Sequence, residues 1–271
     1  MKIGFIADIV GKPGRAMVKR HLPEIREKYG LDFVIANGEN VSHGSGLTPK
    51  NAKEMFNAGV DILTGGNHTW DKKDILPLLE SEPVIRPINY PKGVPGKGKM
   101  IFDVCKEKLA VINLMGYFTM PPVENPFICI KEEVERLNKE GIDKIVIDFH
   151  AEATSEKRAL MHMLKSKVLA ILGSHTHIGT DDLTIEEGTC YVSDVGLTGC
   201  RDNVIGVTSQ DVIKRFLTGL PFPKFDVPNQ CKKIFQMVIF ESTEEGCKRA
   251  FKIKAYDFNE HFISQEAFLE S

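Results

Sequence analysis

The chain has 271 residues, of which 42% are hydrophobic and 27% charged, and a formal net charge of −2. That length suits one large α/β domain or two small ones, and the near-neutral balance excludes broad nucleic-acid binding driven by phosphate neutralisation. Six scattered cysteines (Cys105, Cys129, Cys190, Cys200, Cys231 and Cys247) include no CxxC pair, so they read as ordinary reduced thiols, not a disulfide framework.

In chain order, KIGFIAD (2–8) reads as a strand, its apolar run too short for a signal peptide. A helical pattern from about Arg15 to Tyr29 follows, closed by Gly30. FVIANGEN (33–40) is a second strand. After the loop VSHGSGL, Thr48 and Pro49 read as N-cap and first residue of a helix that Gly59 closes. VDILTGGNH (60–68) is the third apolar run, and DKKDILPLLES reads as a short helix. The Pro/Gly-rich 89–99 stretch reads as a surface loop, and LAVINLMGY (109–117) as a fourth strand. A helix around 132–140 precedes KIVIDFHAE (144–152), and another from Ser155 to about Lys165 precedes VLAILGSHTH (168–177). TCYVSDVGLTG (189–199) follows, then a loop at 220–230. FQMVIFES (235–242) and RAFKIKAYDF (249–258) read as a late antiparallel pair. No segment approaches transmembrane length, so a cytoplasmic location is expected. The alternation of strands and helices predicts a layered α/β sandwich of two facing sheets, as one domain over residues 1–271.

The ends of those strands carry the chemistry. They present Asp8, then Glu39 and Asn40, then Asn67 and His68, then His150, and finally His175 and His177. Ligands of open α/β sheets bind beyond the carboxyl ends of strands. His175 and His177, two apart in an extended segment, point to one side. Five such ends in order predict a metal site, with Glu39 able to bridge two ions ~3.5–4 Å apart. Imidazole with carboxylate and amide oxygen suits iron, manganese, zinc, nickel or cobalt better than magnesium or calcium. Two divalent ions carry four positive charges; Asp8, Glu39 and a bridging hydroxide cancel three, leaving a positive core that attracts an anionic phosphodiester. Hydrolytic phosphoryl chemistry follows. His68 is placed to protonate a leaving oxygen. Two readings stand for Asp71: it orients His68, or it belongs to a helix-capping D-K-K-D pattern.

The order Asp8, Gly38-Glu39-Asn40, Gly66-Asn67-His68, His150, Gly173-Ser174-His175-Thr176-His177 resembles the calcineurin-like metallophosphoesterase superfamily. It departs from the usual pattern in two places. Asp8-Ile9-Val10 lacks the histidine of D-x-H, and Gly38-Glu39-Asn40 replaces GD. With DIVGKPGR at 8–15 and SDVGLTG at 193–199, it looks like the YmdB-type branch over nearly the whole chain. The resemblance implies an α/β/β/α sandwich. It implies one metal held by Asp8, Glu39, Asn40 and His177, and a second by Glu39, Asn67, His150 and His175, with Asn40 standing in for the missing histidine. His68 matches the general acid. The branch is associated with opening 2′,3′-cyclic nucleotides to 3′-nucleotides by attack of a metal-bound hydroxide, with iron first and manganese next as the expected ions. Gly199-Cys200-Arg201-Asp202 and Ile178-Gly179-Thr180 are less typical of the branch and bear on substrate preference.

Other features have plainer readings. His21, His162 and His261 read as packing or surface residues, and His43 as a loop residue beside the cleft. GKPGR (11–15) lacks P-loop spacing and reads as a helix start. The expected partner is a small cyclic nucleotide, with no membrane, no strong nucleic-acid signal, and an exposed late-strand edge that would permit homo-oligomers. Against this stand a phosphomonoesterase or RNA-end nuclease with the same metals, and a metal-binding regulatory protein with vestigial activity.

Overall fold

The structure is a computed structural model and describes residues 1–220 and 226–270. Strand β1 (Lys2–Ile6) leads into helix α1 (Gly11–Tyr29), followed by β2 (Phe33–Asn37), α2 (Pro49–Asn57), β3 (Ile62–Thr64), α3 (Ile75–Ser81) and β4 (Val84–Ile85). These four strands lie side by side and parallel. The chain then builds a second sheet. It contains β5 (Lys99–Val104) and β6 (Glu107–Met115), then α4 (Pro126–Lys139), β7 (Lys144–His150), α5 (Thr154–Leu164), β8 (Ala170–Ser174), β9 (Thr184–Glu186) and β10 (Thr189–Val192). Within it β6, β7, β8 and β10 run parallel, while β5 is antiparallel to β6 and β9 to β10.

After β11 (Gly199–Cys200) and α6 (Ser209–Thr218), the hairpin β12 (Lys233–Thr243) and β13 (Gly246–Tyr256) rejoins the first sheet. There β12 lies antiparallel to β1, with Gly4 opposite Ile239. The edge strand β14 (Phe262–Glu266) follows, and β15 (Phe268–Glu270) crosses to the second sheet beside β9.

Strand periodicity explains the layering. On β1 and just beyond, Ile3, Phe5 and Ala7 face the second sheet, while Ile6 faces the helices. Val146 and Leu172 meet that inter-sheet core from the other side. The α1 stripe Met17, Val18, Leu22 and Ile25 covers the outer face of the first sheet. Residues Ile130, Val134 and Leu137 of α4 and Leu160, Met161 and Leu164 of α5 cover the second. Both sheets are thus buried on two faces, and their central strands read as continuous apolar runs.

The expected strands and helices are present, with shifted boundaries. α1 begins four residues before Arg15, because GKPG forms its first turn, where Pro13 costs no internal hydrogen bond. Gly30 closes it in the left-handed conformation (φ 64°), its N–H bonding to the Arg26 and Glu27 carbonyls. α4 begins at Pro126 because Asn125 caps it, its Oδ1 accepting from the Phe127 and Ile128 N–H groups. The 89–99 loop holds as far as Lys99, where β5 starts. Of the 220–230 loop, residues 221–225 lie outside the described residues, and 226–230 form neither helix nor strand. Among the described residues no helix is long and apolar enough to cross a membrane.

The thiol reading needs correction. Cys200 and Cys231 form a disulfide, with Cα atoms 5.6 Å apart. They are brought together because β11 pairs with β12, setting Cys200 opposite Lys233, two residues beyond Cys231. Spacing along the chain gave no sign of it. The argument for a reducing compartment from uniformly free cysteines therefore falls away.

Candidate metal centre

The parallel strands of both sheets deliver their carboxyl ends to one seam. Asp8 follows β1, Glu39 and Asn40 follow β2, Asn67 and His68 follow β3, His150 ends β7, and His175 and His177 follow β8. All eight sequence-predicted residues come together there. Asp8, His175 and His177 adopt positive φ (38°, 98° and 64°), an arrangement that costs backbone energy and clusters at functional sites.

Three groups converge on Nε2 of the fully buried His150 ring. Its Nε2 lies 2.9 Å from Asn67 Oδ1, 3.1 Å from Glu39 Oε1 and 3.2 Å from His175 Nδ1. One ring proton cannot satisfy three such neighbours, whereas a cation bound among them would. Ligand atoms of Glu39, His150 and His175 all lie within 4.8 Å of one another. Beside them is a second group. His177 Nε2 lies 3.3 Å from Asn40 Oδ1 and 3.7 Å from Asp8 Oδ1. Asn40 donates its amide N–H to the Gly44 carbonyl, which turns its oxygen toward His177. Asp8 Oδ2 accepts the His175 N–H at 3.0 Å, but its buried Oδ1 has no hydrogen-bond partner among the described residues. An orphaned buried carboxylate oxygen beside an imidazole nitrogen is what a metal ligand set presents.

Electrostatics agree. Burial pushes the Glu39 carboxyl upward, yet the charge and hydrogen bond of His150 outweigh it and bring it down to about 2. Burial opposes charge on His150, but Glu39 raises it to about 9. His175 is pushed down to about 3 by burial and then by His150. Burial raises Asp8 to about 6, against the pull of His177. Packing is equally tight: a Cβ on Gly66 would fall 2.2 Å from Glu39 Oε2 and 2.5 Å from His150 Nε2.

The far side of each imidazole is held. His150 Nδ1 faces Ser174 Oγ at 2.9 Å, His175 Nε2 faces Glu152 at 3.0 Å, and His177 Nδ1 donates to the Ile205 carbonyl at 2.7 Å. His68 stands at the rim, about two-fifths exposed, its backbone N–H donating to Glu39 Oε2 at 3.0 Å. Its Nδ1 lies 2.9 Å from Asp71 Oδ2, which also accepts the Ser45 hydroxyl. Of the two readings of Asp71, the geometry supports orientation of His68; helix α3 begins after Asp74 without any side-chain cap.

Sequence reasoning missed the supporting residues. Ser174, Glu152 and the Ile205 carbonyl carry no signal of their own. Asp148 and Lys157 could have been noticed, as charged residues inside apolar patterns. Lys157, fully buried, donates to Asp194 and to the Ser174 carbonyl. Asp194 in turn accepts from the Thr176 N–H and hydroxyl, fixing the His175–His177 turn.

The profile of the family described as YmdB-like protein matches residues 5–255. The chain belongs to the YmdB-like family. It is 42% identical over 262 residues to the 2′,3′-cyclic-nucleotide 2′-phosphodiesterase of Bacillus subtilis (strain 168), covering 96% of this chain and 98% of that one. A Mycoplasma pneumoniae structure described as a novel phosphatase superimposes with a TM-score of 0.89 at 34% identity, over 94% of this chain and 93% of the other. A Thermus thermophilus 5′-nucleotidase precursor shares the fold alone, at 12% identity and a TM-score of 0.54, over 98% of this chain and 54% of that one. The YmdB-like fold is thus the α/β/β/α sandwich of the calcineurin-like metallophosphoesterases, as the sequence pattern implied.

Proposed function

We propose that the chain is a dinuclear metal-dependent phosphodiesterase that opens 2′,3′-cyclic nucleotides to 3′-nucleotides. The observation that carries the reading is the convergence of seven ligand-type side chains from both sheets beside the His68–Asp71 pair. Asp8, Glu39, Asn40 and His177 are assigned to one ion, and Glu39, Asn67, His150 and His175 to the other, with iron and then manganese as the preferred metals. Such a pair supplies an activated water and neutralises charge on the phosphoryl oxygens. The name of the B. subtilis relative supports a cyclic-nucleotide substrate.

The chain's own residues do the rest. Asp71 accepts the Nδ1 proton of His68, so Nε2 faces the cleft, where it protonates the oxygen leaving phosphorus. The bond from the His68 N–H to Glu39 Oε2 ties the acid's position to the carboxylate that would hold both ions. A phosphomonoesterase reading draws on the M. pneumoniae relative described as a phosphatase. Manganese-loaded protein offered 2′,3′-cyclic AMP, 3′,5′-cyclic AMP, bis-p-nitrophenyl phosphate and a phosphomonoester distinguishes the two. Conversion of the 2′,3′-cyclic substrate to 3′-AMP, lost in His68→Ala, is the expected result. Preference for the monoester would overturn it.

A further inference from the structure

We propose that Asp148 and Ser174 are positioning residues that fix the protonation pattern of His150 and so aim its Nε2 into the metal-binding cleft. Asp148 is fully buried on β7, two residues before His150 and therefore on the same side of the strand. Its Oδ1 accepts the Ser174 hydroxyl at 2.6 Å. Its Oδ2 accepts from Thr64 Oγ1 at 2.5 Å, Asn37 Nδ2 at 2.9 Å and Asn113 Nδ2 at 3.4 Å. Every one of these contacts donates to the carboxylate. The Ser174 proton is thereby committed to Asp148, and Ser174 Oγ offers His150 Nδ1 only lone pairs, at 2.9 Å. His150 therefore presents an N–H at Nδ1 in either charge state, which leaves Nε2 as the nitrogen that gives up its proton to a ligated ion.

The same carboxylate reaches two other ligand turns. Asn37, held by Asp148, accepts the Glu39 N–H on its Oδ1 at 3.1 Å and donates to the Gly65 carbonyl at 2.9 Å. Asn113 Oδ1 accepts the Gly65 N–H at 3.3 Å, two residues before Asn67. One buried group therefore underlies the turns that present Glu39, Asn67 and His150, and it joins β2 and β3 of one sheet to β6, β7 and β8 of the other. A bridge that merely held the sheets together would not need a hydroxyl between the carboxylate and an imidazole.

The catalytic consequence rests on the metal-centre reading; the proton arrangement itself does not, and the test separates them. Ser174→Ala removes a single oxygen and leaves Asp148 three donors. Imidazole ¹⁵N NMR of the metal-free protein reads the His150 Nδ1 proton and its exchange with water. Zinc affinity is read separately by competition with a chelator. The wild type is expected to show a slowly exchanging Nδ1 proton, and Ser174→Ala to lose that protection and bind zinc about 10–100-fold more weakly. Asp148→Asn is expected to lose the protection as well. Wild-type protection and zinc affinity in Ser174→Ala, or protection retained in Asp148→Asn, would overturn the inference. Wild-type protein that shows the protected proton yet binds no zinc sinks the metal centre and leaves the relay standing.

Discussion

Gly66 is a residue where one added methyl should strike the metal site directly. Its Cβ position is already filled by a Glu39 oxygen and the His150 ring, both of them packed with no room to retreat. Gly66→Ala is expected to abolish metal uptake while the chain still folds, checked by metal analysis alongside circular dichroism. Glu39→Gln should remove activity and lower metal occupancy together, since that carboxylate is assigned to both ions; full activity with two ions bound would refute the bridge. His68→Ala should cut turnover by about 10²–10⁴-fold with metal content unchanged, because the proposed proton transfer to the leaving oxygen is all it would remove. These residues were legible in the sequence because a polar ligand-type group at a strand's end has few other reasons to be there. Ser174 was not, because a serine between a glycine and a histidine looks like any turn residue until the fold brings Asp148 within reach.

At the scale of elements, strand β13 carries an avoidable cost. Lys252 is buried, and burial, then its neighbour Lys254, lowers its amine to about 8, although Asp194, Asp182 and Asp181 pull the other way. Its folded pKa lies below the unfolded value of 10.5, so holding the charged form destabilises the fold at pH below about 8, and the penalty fades as pH rises toward 10.5. Lys252→Met should gain up to about 3 kcal/mol at pH 7 and nearly nothing at pH 10.5, measured by denaturant unfolding at both. The disulfide has the opposite sign. It closes a loop of 31 residues between Cys200 and Cys231, and reducing it should cost up to about 4 kcal/mol. Thiol titration of the unfolded, unreduced chain should find the four free cysteines, Cys105, Cys129, Cys190 and Cys247, and six after reduction. Continuous apolar runs made the central strands readable. The short strands β9 and β15 have three residues each, too few to show a period, and α6 is apolar on a side it does not bury.

For the whole molecule, the sandwich was readable because strands and helices alternate through two consecutive series, each with its own outer helices. Sheet order was not. Nothing local announces that the last hairpin inserts beside the first strand, because that neighbourhood depends on side-chain packing between segments more than two hundred residues apart. This pairing of Lys2–Phe5 with Val238–Glu241 sets a timetable for synthesis. As the chain leaves the ribosome, β1 through β4 can associate at once, yet one flank of β1 stays bare until β12, more than two hundred residues later, has emerged. An unprotected parallel edge is a template for wrong partners. A chain truncated before Lys233 should therefore aggregate rather than form half an enzyme. In the cell, the nascent protein's most vulnerable interval falls just before the β12–β13 hairpin is released, when holding chaperones would have most to bind.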